Sequence, residues 1–347
     1  MPEEVKKSKK PRDFAFTQQR LPAWQPILSP PWVIVCFLAI TVVFIPIGVA
    51  ILVTTQNVQE YVKQYDGDCI LDYTPSNLPG RGPYCESTTS VEIKTRMEPP
   101  IYMYYSLENF YQNHRRYTSS RNDPQLAGDN TITPESANSD CYPIVFYGAD
   151  QTNMTDSIKK NANMTYSPCG LIAWSMFNDT ISLLGPNNTL VCDGQYHSAT
   201  SNCTKKGIAW SSDVDVKFKA PKSPALNRVA PTEYYGEPGH VLPTVTDEDF
   251  IVWMRTAALP TFRKLYRIIN VPLDPGTYTF KMQQRFNVST FDGKKYVVLT
   301  TSSWIGGRNL FLAIAYLVVG GVSFILACVF AVGAIIQKFR LRKQASA

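Results

Sequence analysis

The sequence predicts a membrane protein in which two transmembrane α-helices flank a large β-rich α+β ectodomain with antiparallel sheets, disulfide bonds and glycans. Three observations predict it. Two long runs carry no charged side chain, six of the eight cysteines lie between them, and so do six Asn-x-Ser/Thr triplets. With 44% hydrophobic and 12% aromatic residues in 347, the chain is excluded from the disordered class and can bury a sizeable core.

Trp32 to Val53, "WVIVCFLAITVVFIPIGVAILV", is uncharged over 22 residues, and Leu310 to Ile336 is uncharged over 27. About 20 apolar residues cross a bilayer as a helix, so each run is long enough, the second with some tilt. A buried core helix of this length would carry a polar face. The first run begins too far from the terminus, and is too long, for a cleaved signal peptide, and reads as a signal-anchor. Pro46 and Gly48 predict a kink within it that frees a carbonyl for a neighbouring helix. The expected segments are a cytosolic tail 1–31, a span 32–53, an exoplasmic or lumenal ectodomain 54–308, a span 309–336 and a cytosolic tail 337–347.

Lys and Arg set the orientation. The tails carry Lys6, Lys7, Lys9, Lys10, Arg12, Arg20, Lys338, Arg340, Arg342 and Lys343. The outer flanks, 54–71 and 289–308, carry only Lys63, Lys294, Lys295 and Arg308. Ten against four places both termini in the cytosol. The tails contribute +3 and +4 to a net charge of +6, leaving −1 for the rest. The basicity is therefore a topology signal, with some attraction to anionic lipid, and not a nucleic-acid-binding face.

The ectodomain cysteines are Cys69, Cys85, Cys141, Cys169, Cys192 and Cys203, and an even number in an oxidising compartment implies disulfides. Six cysteines allow 15 connectivities, among which sequence does not choose. Clustering favours sequential pairs, Cys69–Cys85, Cys141–Cys169 and Cys192–Cys203. A zinc site is disfavoured because no Cys/His set has ligand spacing. Cys36 and Cys328 lie in the apolar runs as small filler. The acceptor triplets start at Asn153, Asn163, Asn178, Asn187, Asn202 and Asn287. Each alone is a weak signal, but all six fall in the segment expected to be lumenal. At Asn202, disulfide formation by Cys203 competes with glycosylation.

Within the ectodomain, "DVDVKFK" (Val214, Val216, Phe218) and "YTFKMQ" (Tyr278, Phe280, Met282) alternate as strands do. "FNVSTFDGKKYVVLTTSSW" reads as a hairpin turning at Asp292-Gly293. "TDEDFIVWMRTAAL" predicts a helix capped at Thr246, with Asp249 as capping-box partner. "LENFYQNHRRY" is a second candidate helix. Pro75–Pro83 and Pro221–Pro243 read as ordered irregular loops. Phe14–Pro31, rich in proline and aromatics, is expected along the inner membrane interface.

Candidate chemistry is sparse. His114, His197 and His240 lack metal or triad spacing, and Asp247, Glu248 and Asp249 are explained by a helix N-terminus. No phosphate-binding loop or nucleophile elbow occurs, so no catalytic residue, metal or cofactor is expected beyond N-linked glycans. In the second run, Gly320, Ser323, Ala327 and Ala331 form a helix-packing face of small residues, extended by Ala334. It can meet the first helix or a separate membrane protein. Neither run holds an ionisable group, so this chain alone offers no ion path.

Several motifs carry a resemblance: "FTQQRLPAWQPILSP", "PCGLIAWSMFNDT", "KGIAWSSD", "DEDFIVWMRTAALPTFRKLY" and "SWIGGRNLFLAIAYLVVGG". In this order, over nearly the whole chain, they resemble the ligand-effect-modulator / cell-division-control-protein-50 family, the β-subunits of type IV P-type ATPases that flip phospholipids. "YYSLENFYQNHRRYTSSR" is most similar to fungal members.

The resemblance implies a non-catalytic subunit that pairs with a separate ATPase and supports its exit from the endoplasmic reticulum, its stability and its transport cycle. It also implies a glycosylated, disulfide-bonded ectodomain in the membranes of the endoplasmic reticulum, Golgi, endosome or plasma membrane. The family's bridge to the Pro-Cys-Gly cysteine maps onto Cys141 and Cys169. Trp174 stands where the family usually has Asn, so the local contact there is expected to differ. The alternative from another class is a free-standing glycosylated receptor or adhesion protein. An extracellular hydrolase lacks any nucleophile–base pair.

Overall fold

The computed structural model describes residues 13–22, 29–67, 85–129, 139–145, 165–194, 202–221, 228–229 and 242–346. It divides into two units, one made of Met1–Val53 with Asn309–Ala347 and the other of Thr54–Arg308.

The first unit is built on two long helices, Pro30–Gln56 and Leu310–Ala345. Both outrun the apolar segments and are long and apolar enough to cross a membrane. The first is assigned as helix straight through Pro46. The second starts at Asn309, whose side chain accepts a hydrogen bond from the Leu312 amide, and ends near Arg342 and Lys343, which suit the helix dipole. Ala313, Gly320, Ser323 and Ala327 are its buried residues, one face at intervals of seven, three and four. A Cβ on Gly320 would lie 2.7 Å from Ile45 Cγ1, and one on Gly48 would lie 2.9 Å from the Leu317 side chain. Glycine at these two points lets the backbones approach.

The second unit is formed by β1 (Glu60–Gln64), β2 (Cys85–Ile93), β3 (Ile101–Glu108), β4 (Thr165–Tyr166), β5 (Thr180–Leu184), β6 (Leu190–Cys192), β7 (Cys203–Thr204), β8 (Arg228–Val229), β9 (Phe262–Ile269), β10 (Gly276–Gln284) and β11 (Lys294–Thr300). One antiparallel sheet runs β1-β11-β3-β9-β7 and another β2-β10-β5-β6, while β4 and β8 make a small parallel pair. Alternation builds the faces. Ile101, Met103, Tyr105 and Leu107 of β3 are buried on one side, as are Tyr278, Phe280 and Met282 of β10. Residues from both sheets join a single hydrophobic core. The Cys192–Cys203 disulfide ties β6 in one sheet to β7 in the other.

The structure corrects several expectations. "DVDVKFK" is not a strand but a π-helical turn, Asp213–Lys217. Its alternation is not that of a strand, since Val216 is exposed while Phe218 is buried and Val214 packs partly against the core, and Asp213 pairs with Lys217 and Arg255. "LENFYQNHRRY" is not one helix. Leu107 and Glu108 finish β3, Asn109 turns the chain at φ 64°, and only Arg115–Ser119 is helical. The Asp292-Gly293 turn does not close a hairpin, because β10 pairs with β2 and β5 whereas β11 pairs with β1 and β3. Asp179 Oδ1 accepts from the Arg285 and Phe286 amides and draws the chain out of the sheet after β10. The Glu248–Met254 helix is capped by Asp247, not Thr246. Asp249 is diverted from a capping box by ion pairs with Arg267 and Lys205. Pro75–Pro83, most of Pro221–Pro243 (222–227 and 230–241), His197 and His240 lie outside the described residues.

Candidate functional site

The ectodomain is organised around Pro168–Thr180. Gly170 stands at φ 104°, and a Cβ there would overlap the Ser120 carbonyl, which explains the glycine after Cys169. Cys169 is bonded to Cys141 with Cα atoms 5.6 Å apart. Around the bridge, Gln125 accepts from the Cys169 amide (2.8 Å) and donates to the Tyr166 carbonyl (2.8 Å). Ser120 Oγ accepts from the Leu171 amide (2.8 Å) and donates to the Cys141 carbonyl (3.0 Å). Trp174 is buried, packs on Tyr166 and donates from Nε1 to the Pro168 carbonyl at 2.9 Å. An Asn could not fill that volume, so the tryptophan makes its own local contact.

The next turn is pinned from both sides. Phe177 stacks on Tyr105 at 3.9 Å, and Asp179 is fully buried. The Asp179 carboxylate accepts from Lys295 Nζ (2.7 Å), Tyr65 Oη (3.1 Å) and the amides of Arg285 (2.6 Å) and Phe286 (2.7 Å). A buried charge pair is tolerated when its remaining lone pairs and protons are satisfied in this way. Burial, then the charge of Asp179, push the Tyr65 hydroxyl well above its ordinary range.

A second polar set lies on β9. The register slips beside Tyr266, between the Met103–Arg267 and Tyr104–Leu265 pairs, and this bulge buries Tyr266 and Arg267 in succession. Tyr266 Oη accepts from the Ile181 amide and donates to the Gly194 carbonyl. Arg267 pairs with Asp249 at 2.7 Å, and Lys205 with Asp247 at 2.5 Å. Further along, Lys264 donates to the carbonyls of Val252 (3.0 Å), Trp253 (2.9 Å) and Arg255 (2.6 Å). It thereby satisfies the open end of the Glu248–Met254 helix. Burial, then the Arg255 charge, lower its pKa to about 7.

Neither charge set was anticipated from sequence, although Lys295 shares its period-2 face with the buried Val297 and Leu299. Among the described residues no cluster of His, Cys, Asp and Glu could hold a metal ion.

The expected site residues fall as follows. Cys85 is disulfide-bonded, and Cys69 lies outside the described residues, as do Asn153 and Asn163. Asn187 and Asn202 are exposed, and Asn178 and Asn287 are half-buried. Asn287 Oδ1 accepts from the amide and hydroxyl of Ser289, whereas Asn178 Oδ1 is buried with no partner. In the helical unit Gly320, Ser323 and Ala327 are buried and Ala331 is half-buried.

The model of the LEM3 (ligand-effect modulator 3) family / CDC50 family matches residues 51–340. "ALA-interacting subunit 3" of Arabidopsis thaliana is 42% identical over 97% of this chain and 89% of its own length. "Cell cycle control protein 50A" of Bos taurus is 39% identical, over 93% and 88%. "Phospholipid-transporting ATPase accessory subunit CRF1" of Saccharomyces cerevisiae is 34% identical, over 96% and 87%. With the family match covering the disulfide-bonded ectodomain and most of the second long helix, and the relatives aligning over more than nine-tenths of the chain, this chain belongs to the LEM3/CDC50 family.

Proposed function

We propose that the chain is the non-catalytic accessory subunit of a phospholipid-translocating type IV P-type ATPase. It supports the partner's exit from the endoplasmic reticulum, its stability and its movement of phospholipid from the exoplasmic to the cytosolic leaflet. One observation carries this reading: the family match spans 51–340, while a relative similar to 96% of the chain is named as such a subunit. The ATP-hydrolysing residues and the lipid path belong to the partner. Here the ectodomain caps the ATPase's outer loops, and the long helices pack beside it with the N-terminal tail beneath the membrane.

The Lys/Arg asymmetry supports cytosolic termini and a lumenal or extracellular ectodomain, in membranes of the secretory and endocytic system. Glycans on Asn153, Asn163, Asn178, Asn187, Asn202 and Asn287 belong to the same reading. Purification of the tagged full-length chain from native membranes in mild detergent tests it. A P-type ATPase should co-purify in near-equal amount. A chain that is stable at the cell surface and recovers no ATPase would instead be the free-standing receptor.

A further inference from the structure

Beside Asn178 lies a cleft of about 420 Å³, within the ~300–1,000 Å³ range of small-ligand sites. Its walls include Tyr105, Phe177, Leu242, Pro243 and Val252, and its polar edge carries Lys205, Asp247, Asp249 and Arg267. The charges cancel among themselves. Lys205 meets Asp247 at 2.5 Å and Asp249 at 3.0 Å, Arg267 meets Asp249 at 2.7 Å, and Arg267 also donates to the Gly194 carbonyl at 3.0 Å. Two cations facing two carboxylates leave no net charge to attract an ion. Asn178 itself is half-buried on the cleft wall, its Oδ1 buried with no partner. The site therefore suits a neutral polar ring with one apolar face. A pyranose answers that description.

We propose that this cleft seats the first N-acetylglucosamine of a glycan on Asn178, so that the sugar is a packed part of the ectodomain. The inference rests on glycosylation of Asn178 as read above. The flanks of the triplet fix where the sugar begins. Phe177 is stacked on Tyr105, and Asp179 is held by four donors, so the backbone at Asn178 is fixed from both sides. Gly194, which also lines the cleft, lets the chain close against β5, since a Cβ there would overlap the Ile181 carbonyl and the Tyr266 hydroxyl. Asn187, exposed on the Pro186–Asn188 turn, has no such seat and would carry its glycan in solvent.

The test uses the full-length glycoprotein in mild detergent and two enzymes. An amidase that cuts the Asn–sugar bond should release the Asn178 glycan at least about tenfold more slowly from folded than from denatured protein, because the linkage is reached only from locally opened chains. An endoglycosidase that leaves one sugar behind should not change resistance to proteolysis, whereas Asn178→Gln should lower it several-fold and Thr180→Ser, which keeps the triplet, should not. Equal release from folded and denatured protein overturns the seat, as does a one-sugar form as labile as Asn178→Gln. Glycopeptide mass spectrometry separates the two readings. An unmodified Asn178 removes both the glycan and its seat, whereas a modified but freely released one removes only the seat.

Discussion

Between the two long helices, Thr41 Oγ1 reaches the Gly320 carbonyl at 3.3 Å, and the other described contacts are apolar: Phe37 on Phe330, Phe44 against Tyr316, and glycines under Ile45 and Leu317. The ectodomain instead buries Lys264, Arg267, Lys295 and Asp179, each saturated with partners, beside a cluster in which Phe110 touches Tyr117, Trp253, Phe262, Phe286 and Phe291. The difference follows from the solvent each part meets. Lipid tails are as apolar as leucine, so helices gain by close approach and little by burying side chains. In water, apolar burial drives collapse, and a charge can follow it inside only if its hydrogen bonds are complete.

The largest effect should come from breaking one saturated set. Asp179→Asn keeps the shape and the Asn178 triplet but strips the counter-charge from Lys295, whose side chain is 2% exposed. We expect a loss of about 3–5 kcal/mol, the range for removing one partner of a buried pair. It would be read as a fall in thermal midpoint of the detergent-solubilised protein. Adding Lys295→Met should restore much of it. If Asp179→Asn alone is silent, the pair is not what secures this end of the sandwich.

Lys264 sharpens the same point through pH. Its pKa is lowered to about 7 from an ordinary 10.5, so between those values the unfolded chain holds a proton that the folded chain has released. Stability contributed by this group therefore rises with pH across that window and is flat below it. Lys264→Met should flatten the rise. It should also cost about 1–3 kcal/mol at neutral pH, because helix carbonyls lose a donor. Unfolding midpoints of both proteins from pH 6 to 9.5 check it. Parallel curves would mean that the three carbonyls hold the proton in both ranges.

What could be read in advance follows the same division. Both membrane helices were legible because lack of charge over 22 and 27 residues is a one-dimensional property. Strand β10 was legible from Tyr278, Phe280 and Met282. Strand β3 was not, because Tyr102, Tyr104 and Tyr105 blur its alternation and Asn109 hides its end. The false hairpin shows the harder limit. Asp292-Gly293 is a genuine turn, but sheet order decides what pairs across it, and that is set by contacts such as Asp179–Lys295 across 116 positions. Asn178 could be found as an acceptor triplet. The cleft beside it could not, since its walls come from β3, β9 and the segment at Leu242–Asp249.

In the helical unit, Gly320→Ala should produce a smaller loss. The added methyl would meet Ile45 Cγ1 at 2.7 Å and the Ile45 backbone nitrogen at 3.3 Å, and the latter cannot rotate away. Overpacking of this kind costs about 1–3 kcal/mol. Gly321→Ala and Gly333→Ala, with nothing within 4 Å of the added atom, should be neutral by the same thermal assay and in ATPase co-purification. Equal effects at all three glycines would point to helix propensity in place of close approach.

The smallest effect belongs to the hydrogen bond between the helices. Thr41 Oγ1 also contacts the Phe37 carbonyl of its own helix at 2.9 Å, so the hydroxyl is satisfied before it reaches Gly320. Thr41→Val preserves the branched shape and removes only the second contact, which should cost about 0.6 kcal/mol, the average for such bonds in membranes. Thr41→Ser should be closer still to the parent. Thermal midpoints of Thr41→Val and Gly320→Ala, measured side by side, decide which force holds the helices. A Thr41→Val loss as large as that of Gly320→Ala would make the hydrogen bond the tie and reduce the small-residue face to a consequence of it.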